Sequence, residues 1–297
     1  MKWHGVFPAI TTPFHPDLSV DEAFLARHVD WLVQNGCTGI VALGSLGEAA
    51  TLSTTEKARV LEICRDAARG RVPLVAGISG LGTAEAVDLA RTAQAKGAAG
   101  LMVLPPYLYK GDWRETEAHF AALLRATPLP CMLYNNPVAY GTDVVPEQMA
   151  LLAAAHPNLV AVKESSTDVR RVTAIRALLG DRLAVCVGVD DAIVEGIQAG
   201  AVGWIAGLVD ALPAESVRLF DLAAAGRWDE AHELYAWFLP LLRLDTVPKF
   251  VQLIKLVQQE VGMGSERVRP PRLVLTGAER DAALALVRER LRQRPKL

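Results

Sequence analysis

Eight short apolar runs punctuate the chain, at residues 5–10, 39–43, 72–78, 100–104, 129–134, 158–163, 183–188 and 203–207. None alternates strictly between polar and apolar positions, which is the pattern of strands buried on both faces of a parallel sheet. Segments with helical spacing lie between them; Leu25, Val29 and Leu32 share one face of the first. Ser19 with Glu22 and Ser53 with Glu56 have capping-box spacing and predict helix starts. Gly36, Gly97 and Gly200 stand where helices should close. The strand starts recur every 20 to 34 residues. Strand and helix repeated eight times predict an α/β fold, a (β/α)8 TIM barrel. The rival, a doubly wound sheet, would more naturally carry a GxGxxG loop after its first strand. Here Thr11-Thr12-Pro13-Phe14 follows instead, and the eightfold count favours the barrel.

Beyond residue 210 the strand signal stops, and residues 213–261 and 277–293 read as helices. The expected organisation is a barrel over residues 1–224 with a C-terminal helical extension, residues 225–297, packed on it. The tryptophan-bearing stretch Leu234–Leu244 would cover the barrel or join subunits. Apolar residues at 51% and charged residues at 22% fit an ordinary globular protein. A net charge of −2 gives no electrostatic reason to expect nucleic acid. No apolar stretch is long enough to span a bilayer, and Met1-Lys2-Trp3-His4-Gly5 has no signal-peptide core, so a cytoplasmic protein is expected. Cys37, Cys64, Cys131 and Cys186 lack CxxC spacing and suit reduced core thiols. The six histidines lack HxH or HExxH spacing, so no metal site is predicted.

In such a barrel the residues after the strands share one pocket. Reading them off gives Thr11 and Thr12, then Gly44-Ser45-Leu46-Gly47-Glu48, then Pro105-Pro106-Tyr107-Leu108-Tyr109. Tyr134-Asn135-Asn136-Pro137, Lys163, Gly188-Val189-Asp190-Asp191, Ile205 and Gly207 complete it. Of eight lysines, only Lys163 ends a core strand. A lysine after a strand is commonly a solvated loop residue. An amine enclosed by barrel walls, however, sheds hydration, which makes accessible the free base that attacks a ketone or imine carbon. Tyr134 ends the neighbouring strand, 29 residues earlier, as a candidate phenol for moving protons, with Ser45 as a hydroxyl partner. A barrel-rim tyrosine with its tip in water is the plainer alternative. The Gly44–Gly47 turn offers backbone N–H groups and one hydroxyl suited to a carboxylate, or is simply a tight strand-to-helix turn. Glu48 either lines the site or ties that turn together. Asp190 and Asp191 suit a helix start whether or not they touch substrate.

The chain resembles the dihydrodipicolinate synthase/N-acetylneuraminate lyase family of Schiff-base barrel enzymes almost end to end. Its marks are Gly5-Val-Phe-Pro-Ala-Ile-Thr-Thr-Pro-Phe14, Gly44-Ser-Leu-Gly-Glu48, Tyr134-Asn-Asn-Pro137 and Lys163-Glu164. The resemblance implies that Lys163 forms a Schiff base with a 2-oxo acid or a cyclic imino acid. It implies Tyr134 as proton shuttle, and Ser45 with the backbone at Leu46 as the carboxylate holder. Gly47, Tyr107, Asn136, Tyr140, Gly188 and Ile205 are further candidate substrate contacts. No cofactor beyond the covalent lysine adduct is expected. The expected partners are a small-molecule substrate and further copies of the chain, in a tetramer built as a dimer of dimers.

Within the family, true synthases resemble this chain less at three places. Ser45 and Leu46 stand where they carry two threonines, Leu108 where they carry a relay tyrosine, and Ala139 where an arginine grips the second substrate's carboxylate. Tyr107 or Tyr109 could supply the relay phenol. The opening Met1-Lys2-Trp3, Tyr134-Asn-Asn-Pro137, Tyr140, Gly188-Val-Asp-Asp191, Gly203-Trp204, Leu241-Leu-Arg-Leu-Asp245 and Arg269-Pro-Pro-Arg-Leu273 are similar to 1-pyrroline-4-hydroxy-2-carboxylate deaminases. That branch would open the ring, lose water and ammonia, and give 2-oxoglutarate semialdehyde. The alternatives are 4-hydroxy-tetrahydrodipicolinate (dihydrodipicolinate) synthase, a 2-keto-3-deoxy sugar acid aldolase or dehydratase, and a non-enzymatic 2-oxo acid sensor.

Overall fold

The computed structural model describes every residue except Tyr107 and Leu297. Eight strands form one parallel sheet: β1 (Gly5–Pro8), β2 (Ile40–Ala42), β3 (Leu74–Ile78), β4 (Gly100–Val103), β5 (Cys131–Asn135), β6 (Leu159–Glu164), β7 (Ala184–Val187) and β8 (Gly203–Ala206). Each lies within or beside its sequence-predicted run, trimmed at the ends; β5 and β6 each run one residue further. The order β1-β8-β7-β6-β5-β4-β3-β2 leaves β1 beside β2, where a parallel bridge from Ala9 to Val41 brings the edges together. The amide of Ile10 donates to the Val41 carbonyl at 2.9 Å across that seam. Nearly every strand residue is buried, which is why the runs carry no polar alternation.

The helices are α1 (Glu22–Gln34), α2 (Thr54–Ala68), α3 (Thr83–Ala95), α4 (Trp113–Arg125), α5 (Pro137–Tyr140), α6 (Pro146–Ala155), α7 (Arg170–Leu179), α8 (Ile193–Gln198), α9 (Pro213–Ala224), α10 (Trp228–Leu242), α11 (Phe250–Glu260) and α12 (Gly277–Arg292). One helix follows each strand, and α5 is a single extra turn inside the loop after β5. This is the (β/α)8 barrel. No helix among the described residues is long and apolar enough to cross a membrane.

The local signals hold in part. Ser53 and Glu56 form the predicted reciprocal cap of α2. Ser19 does not cap α1: its amide and hydroxyl both donate to Asp17, and Asp21 caps the helix instead, accepting from Phe24 N at 2.9 Å. Gly36, Gly97 and Gly200 all adopt the left-handed φ that glycine supplies after a helix. The long helical reading of residues 213–261 is interrupted twice, at left-handed Gly226 and at the tight turn Arg243–Asp245 with the residues after it.

The extension packs back on the barrel. Leu234, Tyr235, Phe238, Leu241 and Leu242 of α10 are buried, and α10 lies against α8, α9 and α12. Trp237 donates its indole N–H to the Arg290 carbonyl on α12 at 2.9 Å. The turn that follows α10 brings Asp245 back to the ends of β7 and β8. All four cysteines are buried and free.

Candidate active site

Register places the central pair. In the parallel pairing of β5 with β6, Tyr134 stands beside Lys163 and Asn135 beside Glu164. Paired neighbours on parallel strands point to the same face, and successive residues to opposite faces. Tyr134 and Lys163 therefore share one face, and Asn135 and Glu164 share the other. The Lys163 amine lies 4.3 Å from the centroid of the Tyr134 ring. Both residues are 6% exposed, which excludes the solvated-loop and wet-rim alternatives. On its other side Lys163 pairs with Cys186 of β7, whose thiol burial pushes up to about 12 and so keeps neutral.

The Lys163 stem needs space that only glycine leaves. A Cβ on Gly188 would lie 2.6 Å from Lys163 Cε and 2.0 Å from Ser165 Oγ. Gly188 is thus a wall of the lysine channel. Glu164, on the opposite face, accepts from Asn135 Nδ2 at 3.1 Å and from Ser166 N at 2.6 Å. Burial raises its carboxyl above the ordinary range. Asn135 Oδ1 in turn accepts from Val144 N, tying the loop after β5 to the strand ends.

Among the described residues, the amides of Ser45, Leu46 and Gly47 donate to no protein acceptor. Gly47 fits closely: a Cβ there would meet the Ile10 carbonyl at 2.9 Å, and its own carbonyl accepts from Thr12 Oγ1 at 2.7 Å. Three consecutive unpaired N–H groups beside a hydroxyl make a concavity suited to an anion. Glu48, left-handed at φ 54°, lies outside it. It is fully buried against Lys255 Nζ at 2.5 Å and accepts from Arg269 N at 3.0 Å, so it ties the turn to the C-terminal extension.

The hydroxyl network differs from the expected one. Ser45 shares a hydrogen bond with the Tyr140 hydroxyl rather than with Tyr134. Tyr134 Oη accepts from Asn136 Nδ2 at 3.1 Å, and the rings of Tyr134 and Tyr140 meet edge to face at 5.6 Å. Asn136 also caps α5, accepting from Ala139 N. Ser45, Tyr134, Asn136 and Tyr140 therefore form one connected group beside the lysine. Ile205 is buried in β8. Leu108 is exposed, and the hydroxyl of exposed Tyr109 donates to Glu115. Tyr107 lies outside the described residues. Ala139 is exposed on α5.

Asp190 is the staple between β7 and β8. Its carboxylate accepts from Trp204 Nε1 at 3.0 Å, Gly207 N at 3.1 Å and Leu208 N at 2.7 Å. Burial nonetheless lifts it to about 6, with the Lys163 charge and those donors pulling the other way. Asp191 pairs with Arg243 at 3.6 Å.

Residues 2–290 match the profile of the dihydrodipicolinate synthetase family. The chain belongs to that family. Its relatives include 4-hydroxy-tetrahydrodipicolinate synthases of Rhizobium meliloti, 35% identical over 94% of this chain and 97% of the relative. Another, from Pelobacter propionicus, is 33% identical over 96% and 97%. Among solved structures, dihydrodipicolinate synthase from Aquifex aeolicus superposes with a TM-score of 0.92 at 28% identity, over 96% of this chain and 97% of that one. The chloride-inhibited enzyme from Acinetobacter baumannii, in complex with pyruvate, gives 0.91 at 29%, over 97% and 99%. Membership makes the chain a class I lyase, the class that works through a lysine Schiff base, and its substrates small molecules.

Proposed function

We propose that Lys163 Nζ attacks C2 of a small 2-oxo acid or cyclic imino acid and forms the Schiff base of this reaction. The observation that carries this reading is the buried Lys163 amine held 4.3 Å from the Tyr134 ring centre. The substrate carboxylate beside C2 is held by the unpaired amides of Ser45, Leu46 and Gly47. The Tyr134 phenol gives and takes the proton as the carbinolamine forms and collapses. Asn136 orients that phenol, and Tyr140 orients Ser45.

The finer reading we favour is deamination of 1-pyrroline-4-hydroxy-2-carboxylate. Attack of Lys163 on the ring C=N carbon and ring opening leave the substrate nitrogen as an amine. Loss of the hydroxyl as water, followed by hydrolysis of both C–N links, gives 2-oxoglutarate semialdehyde and ammonia with a net uptake of one water. Ala139 supplies no guanidinium, which supports this, because a second carboxylate would find no bidentate clamp there; the Lys110 amine beside Gly141 is a single point charge.

A second reading, 4-hydroxy-tetrahydrodipicolinate synthesis from pyruvate and aspartate semialdehyde, is favoured by the names of the relatives. Parallel assays separate the two: ammonia release from the hydroxypyrroline acid, and condensation of the second pair. Ammonia release with negligible condensation supports the deaminase; efficient condensation without ammonia release overturns it. A homo-oligomer is the expectation that family resemblance brings, and sedimentation would test it.

A further inference from the structure

Asp245 reaches this end of the barrel from neither a strand end nor the loop that follows one. It comes from the C-terminal extension, in the tight turn Arg243–Asp245 that follows α10. Its Oδ1 occupies the place a side chain on residue 207 would take, 2.1 Å from the position of a Cβ there. Gly207 follows β8 directly, and its amide is bonded to Asp190, the residue that staples β7 to β8. The Asp245 carboxyl thus lies against the catalytic end of the barrel. It is within electrostatic reach of Lys163 and of Asp190, Asp191 and Asp210.

The other carboxyls in this neighbourhood each have at least one partner, although Asp210 Oδ1 is buried without one. Asp190 accepts three hydrogen bonds, Asp191 pairs with Arg243, and Asp210 accepts from Thr11 N at 3.1 Å. Asp245 has no hydrogen bond and no ion pair among the described residues. It is nonetheless partly enclosed, and burial together with the nearby acids holds its carboxyl well above the ordinary range. Neither of its oxygens is sealed from solvent, so the carboxyl is open to a ligand rather than held by the protein. Glycine at 207 is what makes room for the carboxyl there.

We propose that Asp245 is a specificity residue that receives a hydroxyl on the part of the substrate remote from its C2 carboxylate. The inference rests on the Schiff-base reading of Lys163. A hydroxyl both donates and accepts, so it pairs with a carboxyl in either protonation state. A second carboxylate would instead meet Asp190, Asp191 and Asp210 around it, with Arg243 already engaged by Asp191. The acids therefore select against dicarboxylates as well as for a hydroxylated chain. Asp245 deepens the deaminase reading because it supplies a receiver for the ring hydroxyl, yet it predicts a preference measurable without that substrate.

The test uses two 2-oxo acids that differ by one hydroxyl, 4-hydroxy-2-oxobutanoate and 2-oxobutanoate. Each is trapped on the full-length enzyme with borohydride across a concentration series, and the Lys163 adduct is quantified by peptide mass. The wild type should reach half-saturation at about tenfold or more lower concentration with the hydroxylated acid, because a site built for a hydroxyl discriminates against its absence. Asp245→Ala and Asp245→Val, neither of which can bond a hydroxyl, should lose most of that ratio while still forming the adduct. Equal half-saturation in the wild type, or an unchanged ratio in both variants, overturns the assignment of Asp245. No adduct with either acid, nor with pyruvate, would instead remove the Schiff-base reading beneath it.

Discussion

Gly188 and the stem of Lys163 occupy one space: a Cβ at residue 188 would stand 2.6 Å from Lys163 Cε. Backbone and lysine stem cannot both keep their positions if a methyl group is added. Gly188→Ala should therefore lower kcat/KM by about tenfold or more through misplacement of the amine. It should cost only about 1–3 kcal/mol in stability, the usual range for overpacking. Steady-state kinetics with a thermal melt separate the two effects. Full activity in a folded Gly188→Ala enzyme would contradict this placement of the lysine.

Tyr134 and Tyr140 should fail differently. Tyr134→Phe removes the proton carrier and should lower kcat by about a hundredfold or more with little change in KM. Tyr140→Phe leaves that phenol intact but frees Ser45 beside the unpaired amides proposed to hold the carboxylate. It should act mainly on KM, by several-fold to about tenfold, consistent with the modest net worth of one hydrogen bond. A Tyr134→Phe enzyme with unchanged kcat would remove the phenol from the chemistry.

Lys255 and Glu48 form a fully buried ion pair 2.5 Å apart, and burial brings the lysine down to about 8. Lys255→Met leaves the Glu48 charge buried beside only the Arg269 amide and the more distant Arg272. Breaking one side of such a pair should cost about 3–5 kcal/mol. The double variant Lys255→Met/Glu48→Gln should recover much of the loss, because no uncompensated charge remains. Chemical denaturation of the three proteins checks this; no recovery in the double variant would show that the charge is not what matters.

Asp190 carries a pH signature. Its carboxyl titrates at about 6 in the folded chain against 3.8 as a free side chain, raised by burial. Between those values the folded state holds the proton and the unfolded state does not. Its contribution to stability is therefore full below about 3.8 and is lost as pH rises through about 6. Asp190→Asn cannot titrate, so relative to it the wild type should lose stability as pH rises across this window. Unfolding free energies at several pH values would show the gap; a constant gap would mean the carboxyl is not raised.

The barrel is legible in the sequence because each strand is buried on both faces and so reads as an uninterrupted apolar run. Lys163 and Tyr134 are legible as candidates because each is a polar side chain closing such a run, although the run alone does not separate them from Asn135 and Glu164, which face the other way. Pairings between distant segments are not legible. Lys255 looks like an ordinary helical lysine until Glu48, 207 positions away, is placed against it. Reading the residue after each strand also passes over Asp245, which arrives from the extension. Ser19 fails as a cap because Asp17 competes for its hydroxyl and amide. The Ser45–Tyr140 bond depends on how α5 folds the loop after β5, and strand periodicity carries no record of that.

The most direct measurement is borohydride trapping with pyruvate, followed by peptide mass analysis of the wild type and Lys163→Ala. A single reduced adduct on the peptide carrying Lys163, lost in the variant, is the expected result. A wild-type protein that forms no adduct with pyruvate or any imino acid, or forms one on a different lysine with Lys163→Ala still labelled, would contradict the assignment of Lys163 as the Schiff-base residue.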